Sequence, residues 1–310
     1  MDRTFRKTLL LGAGDIGQRI LAAHAPRGAV TAVTSTPANR PRLRRLGARV
    51  KLANLDKPGT LARLPRAWAW LLHCAPPQAS GRQDQRTRNL LRQLAKRTAQ
   101  EDAPTRREMV SRVVVYLSTS GVYGDCGGAR VTERRPCAPD NLRAKRRVDA
   151  ERTLARAARR GLFRLVILRV PGIYAADRLP LERLRRATPA IAAAEDSYTN
   201  HIHADDLAAI AVRALRRTAC RPLHRARIYN CNDDSEMKMG DYFDLVADAF
   251  ELPRPPRLPR DEVERAVSPM LMSFMRESRR LDNSRLKREL GVRFQFPTVA
   301  AGVAGARTKL

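Results

Sequence analysis

A chain of 310 residues, 43% of them hydrophobic, has length for one large α/β domain or for a core domain with a smaller lobe. No apolar stretch reaches the roughly 18 residues that cross a bilayer, so a membrane span is not expected. Lys and Arg number 60 against 31 Asp and Glu, a net charge of +29, and such a field attracts nucleic acid, anionic lipid and phosphorylated small molecules alike. The arginines, however, are spread over almost every predicted helix (42–45, 156–160, 183–186, 213–217), with no basic tail and no aromatic-interleaved face. Solvated helix surfaces account for them, and neither nucleic acid nor a membrane is the expected partner. Five cysteines (Cys74, Cys126, Cys137, Cys220, Cys231) show no CxxC or zinc-like spacing, which fits a reduced, cytoplasmic protein without a metal site.

Residues 1–7 are basic and then apolar in the manner of a signal peptide, but the apolar part stops at Gly12 before an h-region is complete, so it reads as a first strand. The chain is organised around that strand and the turn after it. In TLLLGAGDIG (8–17) an apolar strand runs into Gly12, Gly14 and Gly17, the spacing that carries a strand tightly into a helix and binds a dinucleotide. Gly12 allows the sharp turn, Gly14 leaves room for a pyrophosphate, and Gly17 lets the helix sit close on the strand. The amides that open the helix, at Asp15 and Ile16, then point at the phosphates, and the helix dipole favours their charge.

A second short β-branched strand spans 29–34. Sites for NAD carry an acid about 20 residues beyond the glycines, to hold the ribose hydroxyls. Here that place has Ser35, Thr36, Asn39, Arg40 and Arg42, with no carboxylate until Asp56, so NADP is expected in preference to NAD; surface arginines at a helix start are the competing reading. Residues 49–52 form a third strand, after which Asn54, Leu55 and Asp56 stand where an adenine would be edged. A fourth strand (68–74) ends in Ala75-Pro76-Pro77, a helix (85–100) crosses back, and a strongly apolar strand (110–117) enters STSGVYG. Alternating strands and helices predict a Rossmann-type, doubly wound parallel α/β sheet, with ligands at the carboxyl ends of its strands.

In the order GAGDIG, LLHCAPP, LSTSGVYGD, LRVPGIY, NHIHADDLA and IYNCNDD, the chain resembles an extended-type short-chain dehydrogenase/reductase of the NAD-dependent epimerase/dehydratase family, from residue 8 to about 291. RRLDNSRLKRELG, with Asp282, is similar to that family's closing helix. The resemblance implies that Thr119 orients the substrate, that His73 closes the strand whose backbone borders the coenzyme, and that Pro171 and Gly172 pass the nicotinamide. Asp205 matches an aspartate before a helix, where it or Asp206 is expected as an N-cap rather than as a catalytic acid.

The match fails at one point. Hydride-transferring members use a Tyr with a Lys four residues later, the Lys lowering the phenol's pKa. Here Lys145 has Asn141 before it, and the register that aligns Glu151 puts Arg143 and Arg147 at the pair; neither Asn nor Arg exchanges protons near neutrality. The chain therefore resembles atypical members. Tyr123 is a substitute proton donor to weigh against a packing role, and Lys145 a ribose contact to weigh against an exposed cation. His201 and His203 face the same way on a strand, for a substrate cleft or, less readily, a metal.

The expected organisation is a coenzyme domain over 1–175, whose core also uses about 200–232, and a small C-terminal substrate lobe from 176–199 and 233–310. Arg183, Arg185 and Arg186 would suit an anionic substrate. Residues 239–250 form an amphipathic packing helix, 252–259 a Pro-rich extended connector, and 268–275 a Met-rich surface that roofs the cleft or joins a homodimer. The expected function is an NAD(P)-dependent oxidoreductase or epimerase-like enzyme on a small molecule. A non-catalytic redox sensor and a basic protein associated with nucleic acid are the alternatives.

Overall fold

The computed structural model describes residues 6–98, 105, 111–219 and 226–308. The basic start (1–5), the last two residues of the helix expected over 85–100, Val110 and Cys220 lie outside them. Seven strands form one sheet: β1 (Thr8–Leu11), β2 (Val30–Thr34), β3 (Arg49–Leu52), β4 (Trp70–His73), β5 (Val113–Thr119), β6 (Arg164–Val170) and β7 (Arg227–Asn230). Their order is β7-β6-β5-β4-β1-β2-β3. The strands that lie between neighbours are apolar almost throughout because both faces are covered, and β1 and β4 are buried at every position. β3, at one edge, alternates exposed with half-buried residues.

Register decides where the loops emerge. Leu11 lies level with His73, His73 with Tyr116 and Leu11 with Val33, every pair parallel. The turns after β1, β2, β4 and β5 therefore leave the sheet along one edge. The strand order reverses between β1 and β4, and a crevice opens outside the carboxyl ends at such a reversal. Helices α1 (Asp15–Ala23), α2 (Arg40–Arg45), α3 (Gln85–Thr98), α4 (Leu142–Arg159) and α5 (Ala204–Ala219) connect the strands. On one face Leu9, Leu71, Val114 and Ile167 meet Leu90, Leu94, Ala150 and Leu154 from α3 and α4. Burying each such side chain contributes about 1.5–3 kcal/mol, which is what holds two strongly basic helices against the sheet.

The chain divides into two compact units. One takes the described residues of 1–119, 142–169 and 207–229; the other takes 120–141, 170–206 and 230–310. Residues 120–141 and 170–175 thus belong to the second unit, where the sequence suggested the first. The cause is strand pairing at a distance: Arg130–Val131 pairs with Arg280–Leu281, and Gly172–Tyr174 with His201–His203. Tyr174, Tyr242, Phe243, Val246, Val299 and Val303 form this unit's core.

Two further expectations change here. The connector over 252–259 contains a strand, Arg257–Leu258, parallel to Ala190–Ile191. Neither Asp205 nor Asp206 caps α5: the backbone N–H of Asp205 donates to His203 Nδ1 (3.2 Å), so the histidine is the cap. The Asp206 carboxylate instead accepts from the backbone N–H groups of Gln295 (2.7 Å) and Phe296 (2.9 Å), tying down the C-terminal segment. No helix among the described residues is long and apolar enough to cross a membrane.

Candidate functional site

The turn after β1 shows why three glycines are needed. Gly12 has φ +83°, and a Cβ there would lie 2.4 Å from Ala75 N and 2.6 Å from Ala75 Cα. The turns after β1 and β4 pass too close for any side chain. A Cβ on Gly17 would lie 3.0 Å from Gly12 O and 3.3 Å from the Leu10 side chain, so the absent side chain sets the closeness of α1 to β1. Gly14 is different: nothing lies within 4 Å of its Cβ position. It stands at the N-cap of α1 in extended conformation, so the first-turn amides, those of Ile16 and Gly17 among them, point out of the helix end. Positive partial charge and empty space coincide there, as an anion requires.

That space continues as a cavity of about 240 Å³, confined to the first unit. Gly12, Gly14, Ser35, Thr36 and Asn54 of the expected residues line it, and so does Asn39. Asp15, Ile16, Gly17, Arg40 and His73 are not on its wall. Asp15 pairs with Arg19 (2.9 Å), Ile16 is buried, and Arg40 opens α2. Among the lining side chains that escaped the sequence reading are Gln18 and Arg86. Gln18 Nε2 donates to Ala13 O (3.2 Å) while its Oε1 is buried without a partner. Its place directly after Gly17 was the available signal; Arg86, the second residue of a distant helix, gave none.

His73 lies behind this wall, 1% exposed. The Thr87 hydroxyl donates its one proton to Asp84 Oδ2, so His73 Nε2–H donates to Thr87 Oγ1 (3.1 Å) and Nδ1 remains an unpartnered acceptor. Burial, with the Arg147 and Arg86 charges adding to it, pushes the imidazole down to about 3. It is neutral at any ordinary pH and edges onto Tyr116 (5.1 Å between ring centres).

At the end of β5, Thr119 is half-buried, and the residue before it anchors α4. Ser118 Oγ donates to Glu151 Oε1 (2.6 Å), and Arg169 Nη2 to Glu151 Oε2 (2.8 Å). Residues four apart share a helix face, so Glu151 brings Arg147 and Arg143 to the same side. Arg147 Nη1 donates to Leu117 O (2.7 Å) and to the Tyr116 hydroxyl (3.1 Å), at the carboxyl end of the strand. Lys145 is two residues away, about 200° round the helix. Tyr116 itself is fully buried and, mainly through burial, pushed up to about 12.

The remaining candidates lie in the second unit. Tyr123 is fully buried and its hydroxyl donates to Asn230 Oδ1 (2.7 Å); Asn230 Nδ2 in turn donates to Val131 O (2.9 Å). Gly172 faces Asn200 O at 3.2 Å from its Cβ position, next to Pro171. His201 packs on Tyr242 and His203 on Phe296 (4.3 and 3.9 Å between ring centres). Among the described residues no group of three His, Cys, Asp or Glu is placed to hold a metal.

A family model described as the NAD dependent epimerase/dehydratase family matches residues 8–231. The chain belongs to that family. A search of curated proteins finds no match. Among solved structures, a functionally unknown conserved protein from Silicibacter pomeroyi DSS is 28% identical, with TM-score 0.75 over 97% of this chain and 98% of that one. The human epimerase family protein SDR39U1 with NADPH is 18% identical (TM-score 0.69; 98% and 100% covered). A UDP-galactose 4-epimerase is also 18% identical (TM-score 0.70; 97% and 97%). These last two share the fold. The family's Rossmann fold binds a nicotinamide dinucleotide, and the cavity fits one end of it: an open glycine cradle at the start of α1 and an orphaned Gln18 carbonyl.

Proposed function

We propose that this family member is an oxidoreductase or epimerase-like enzyme that takes NADP in preference to NAD and acts on a small anionic substrate without the tyrosine acid/base of its relatives. The coenzyme, when bound, supplies or accepts a hydride. Gly12 and Gly14 leave room for its diphosphate, the amides of Asp15 and Ile16 hold that charge, and Ser35 and Thr36 meet the adenosine ribose. Thr119 orients a substrate oxygen by its hydroxyl, while Lys145, about 200° round α4 from Arg147, takes no part in the site. The absence of disulfides at the four described cysteines supports a reducing, cytoplasmic setting.

One observation carries the coenzyme preference. The cavity wall includes no Asp or Glu, while Ser35, Thr36 and Asn39 offer hydroxyl and amide groups at the end of β2. A wall with no carboxylate has nothing to chelate a pair of ribose hydroxyls and nothing to repel a 2′-phosphate. Fluorescence titration should give NADPH a Kd at least tenfold below that of NADH. Equal affinities would end the preference, and no binding of either would end the whole reading.

A second reading, a sensor that binds the dinucleotide without turning it over, is favoured by α4. With Glu151 anchored, the residues at the acid/base pair are Arg143 and Arg147, and a guanidinium stays charged throughout the useful range. Tyr123 gives its hydroxyl to Asn230, which supports packing over proton transfer. Consumption of NADPH with any member of a carbonyl and sugar-nucleotide panel, lost in Thr119→Ala, supports the enzyme; binding without consumption supports the sensor.

A further inference from the structure

The cavity wall has one charged side chain, Arg86, and its guanidinium is fixed in place. Nε donates to Asp56 Oδ1 and Nη2 to Asp56 Oδ2, both at 2.7 Å, in a two-bonded fork, and Nη1 donates to Pro76 O at 3.0 Å. Three of the five N–H groups that an arginine carries are thereby spent on holding the plane still. The pair spans two loops, since Asp56 follows β3 and Pro76 follows β4. The loop after β3 is itself anchored: Asn89 Nδ2 donates to Leu55 O (2.8 Å), and the Asn54 N–H donates to Thr60 Oγ1 (2.9 Å). A half-exposed ion pair of this kind adds little stability, and three hydrogen bonds are more than stability at such a site needs. What they achieve is orientation.

The rest of the wall identifies what is oriented. A diphosphate at Gly12 and Gly14 puts the ribose at the end of β2, by Ser35 and Thr36. The part then left for the base is lined by Ala53, Leu55, Ala75 and Pro76, with the Asn54 amide and the Arg86 guanidinium beside them. A planar, weakly hydrated cation held rigid beside apolar side chains is suited to a heteroaromatic ring, on which guanidinium groups stack. We propose that Arg86 is a binding residue for the adenine base of the coenzyme, with Asp56 as a positioning residue that acts through it. The inference rests on the reading that the cavity holds a nicotinamide dinucleotide. It gives Asp56, the first carboxylate after β2, a task other than chelating ribose: it holds the cation that holds the base.

The test uses the full chain and adenosine 2′,5′-bisphosphate, which carries the base and ribose without nicotinamide, followed by calorimetry. Arg86→Met should weaken this ligand about tenfold, the loss of one stacking contact, with an unchanged thermal midpoint. Arg86→Lys should fall between, keeping the charge and losing the fork. Asp56→Asn should weaken binding severalfold in the wild-type background and by nothing further in the Arg86→Met background, because its effect passes through the guanidinium. An Arg86→Met protein that binds as tightly as wild type, or an Asp56→Asn effect that persists in full without Arg86, overturns the proposal. If the wild-type protein binds neither this ligand nor NADPH, it is the coenzyme reading that fails.

Discussion

At the scale of single residues, the glycine turn separates folding from binding. Gly12→Ala forces a left-handed φ on an L-residue, at about 1–2 kcal/mol, and drives its Cβ into the Ala75 backbone; the thermal midpoint should fall and binding with it. Gly14→Asp should do the reverse. Position 14 is an N-cap with φ −74°, which any residue adopts and aspartate favours, so the midpoint should hold or rise slightly. The carboxylate would meanwhile stand where the diphosphate belongs, and dinucleotide affinity should drop at least tenfold by titration. A Gly14→Asp protein that still binds NADPH would show that the anion site is elsewhere. These three positions were legible because their spacing encodes backbone approach, which is local. Gln18 could have been read from its place directly after Gly17, but Arg86 could not, since only the folded sheet brings it across from α3. The choice between Lys145 and Arg147 needed one tertiary fact, the partner of Glu151, before helix periodicity could be applied.

At the scale of elements, α4 is fixed by a buried ion pair. Glu151 and Arg169 have side chains 6% and 4% exposed, and nearly all of the carboxylate's bonding goes to Arg169 and Ser118. Removing one partner strands the other in the interior, so Glu151→Ala should cost about 3–5 kcal/mol in chemical denaturation, whereas replacing both, Glu151→Leu with Arg169→Met, should recover much of that. Additive losses would mean that the pair is not coupled. The strands of the sheet were largely legible, since continuous apolar runs in alternation with helices have few other readings. The second unit was harder. Its paired segments are two or three residues long and lie far apart in sequence, as Arg130–Val131 and Arg280–Leu281 do, and two residues carry no periodicity. The helix Val299–Arg307 gave no amphipathic signal either, because its Gly302 is there to let Tyr174 pack against it.

At the scale of the whole molecule, three buried groups set the pH dependence of stability in opposite directions. Asp233 is 1% exposed with Oδ2 unpartnered. Burial, with the neighbouring Asp234 charge, pushes its carboxyl up to about 7, although the Ser235 hydrogen bonds pull the other way. A raised folded pKa means stability that is complete below the unfolded value, about 3.9, and is lost as pH rises through 7. His73 and His201 are pushed down to about 3 and about 4 by burial. Their contribution is complete above the unfolded value of about 6.5 and is lost as pH falls toward the folded values. From pH 8 to about 6.5 Asp233 takes up a proton in the folded chain that it does not hold in the unfolded one, and acidification should stabilise the fold. Below about pH 6 the unfolded chain gains two protons on the histidines for the one already held by Asp233, and stability should fall by about 1.4 kcal/mol per pH unit. Urea midpoints measured from pH 8 to 5 should therefore pass through a maximum between about 6 and 7. Asp233→Asn should remove the alkaline limb, and His201→Gln should flatten the acid limb, since His73 alone then offsets Asp233. Midpoints that fall steadily from pH 8 downward in the wild-type protein would show that Asp233 is ionised in the folded state. The net charge of +29, almost all of it arginine that does not titrate in this range, adds a repulsion common to every point on the curve, so added salt should raise the profile without moving its maximum.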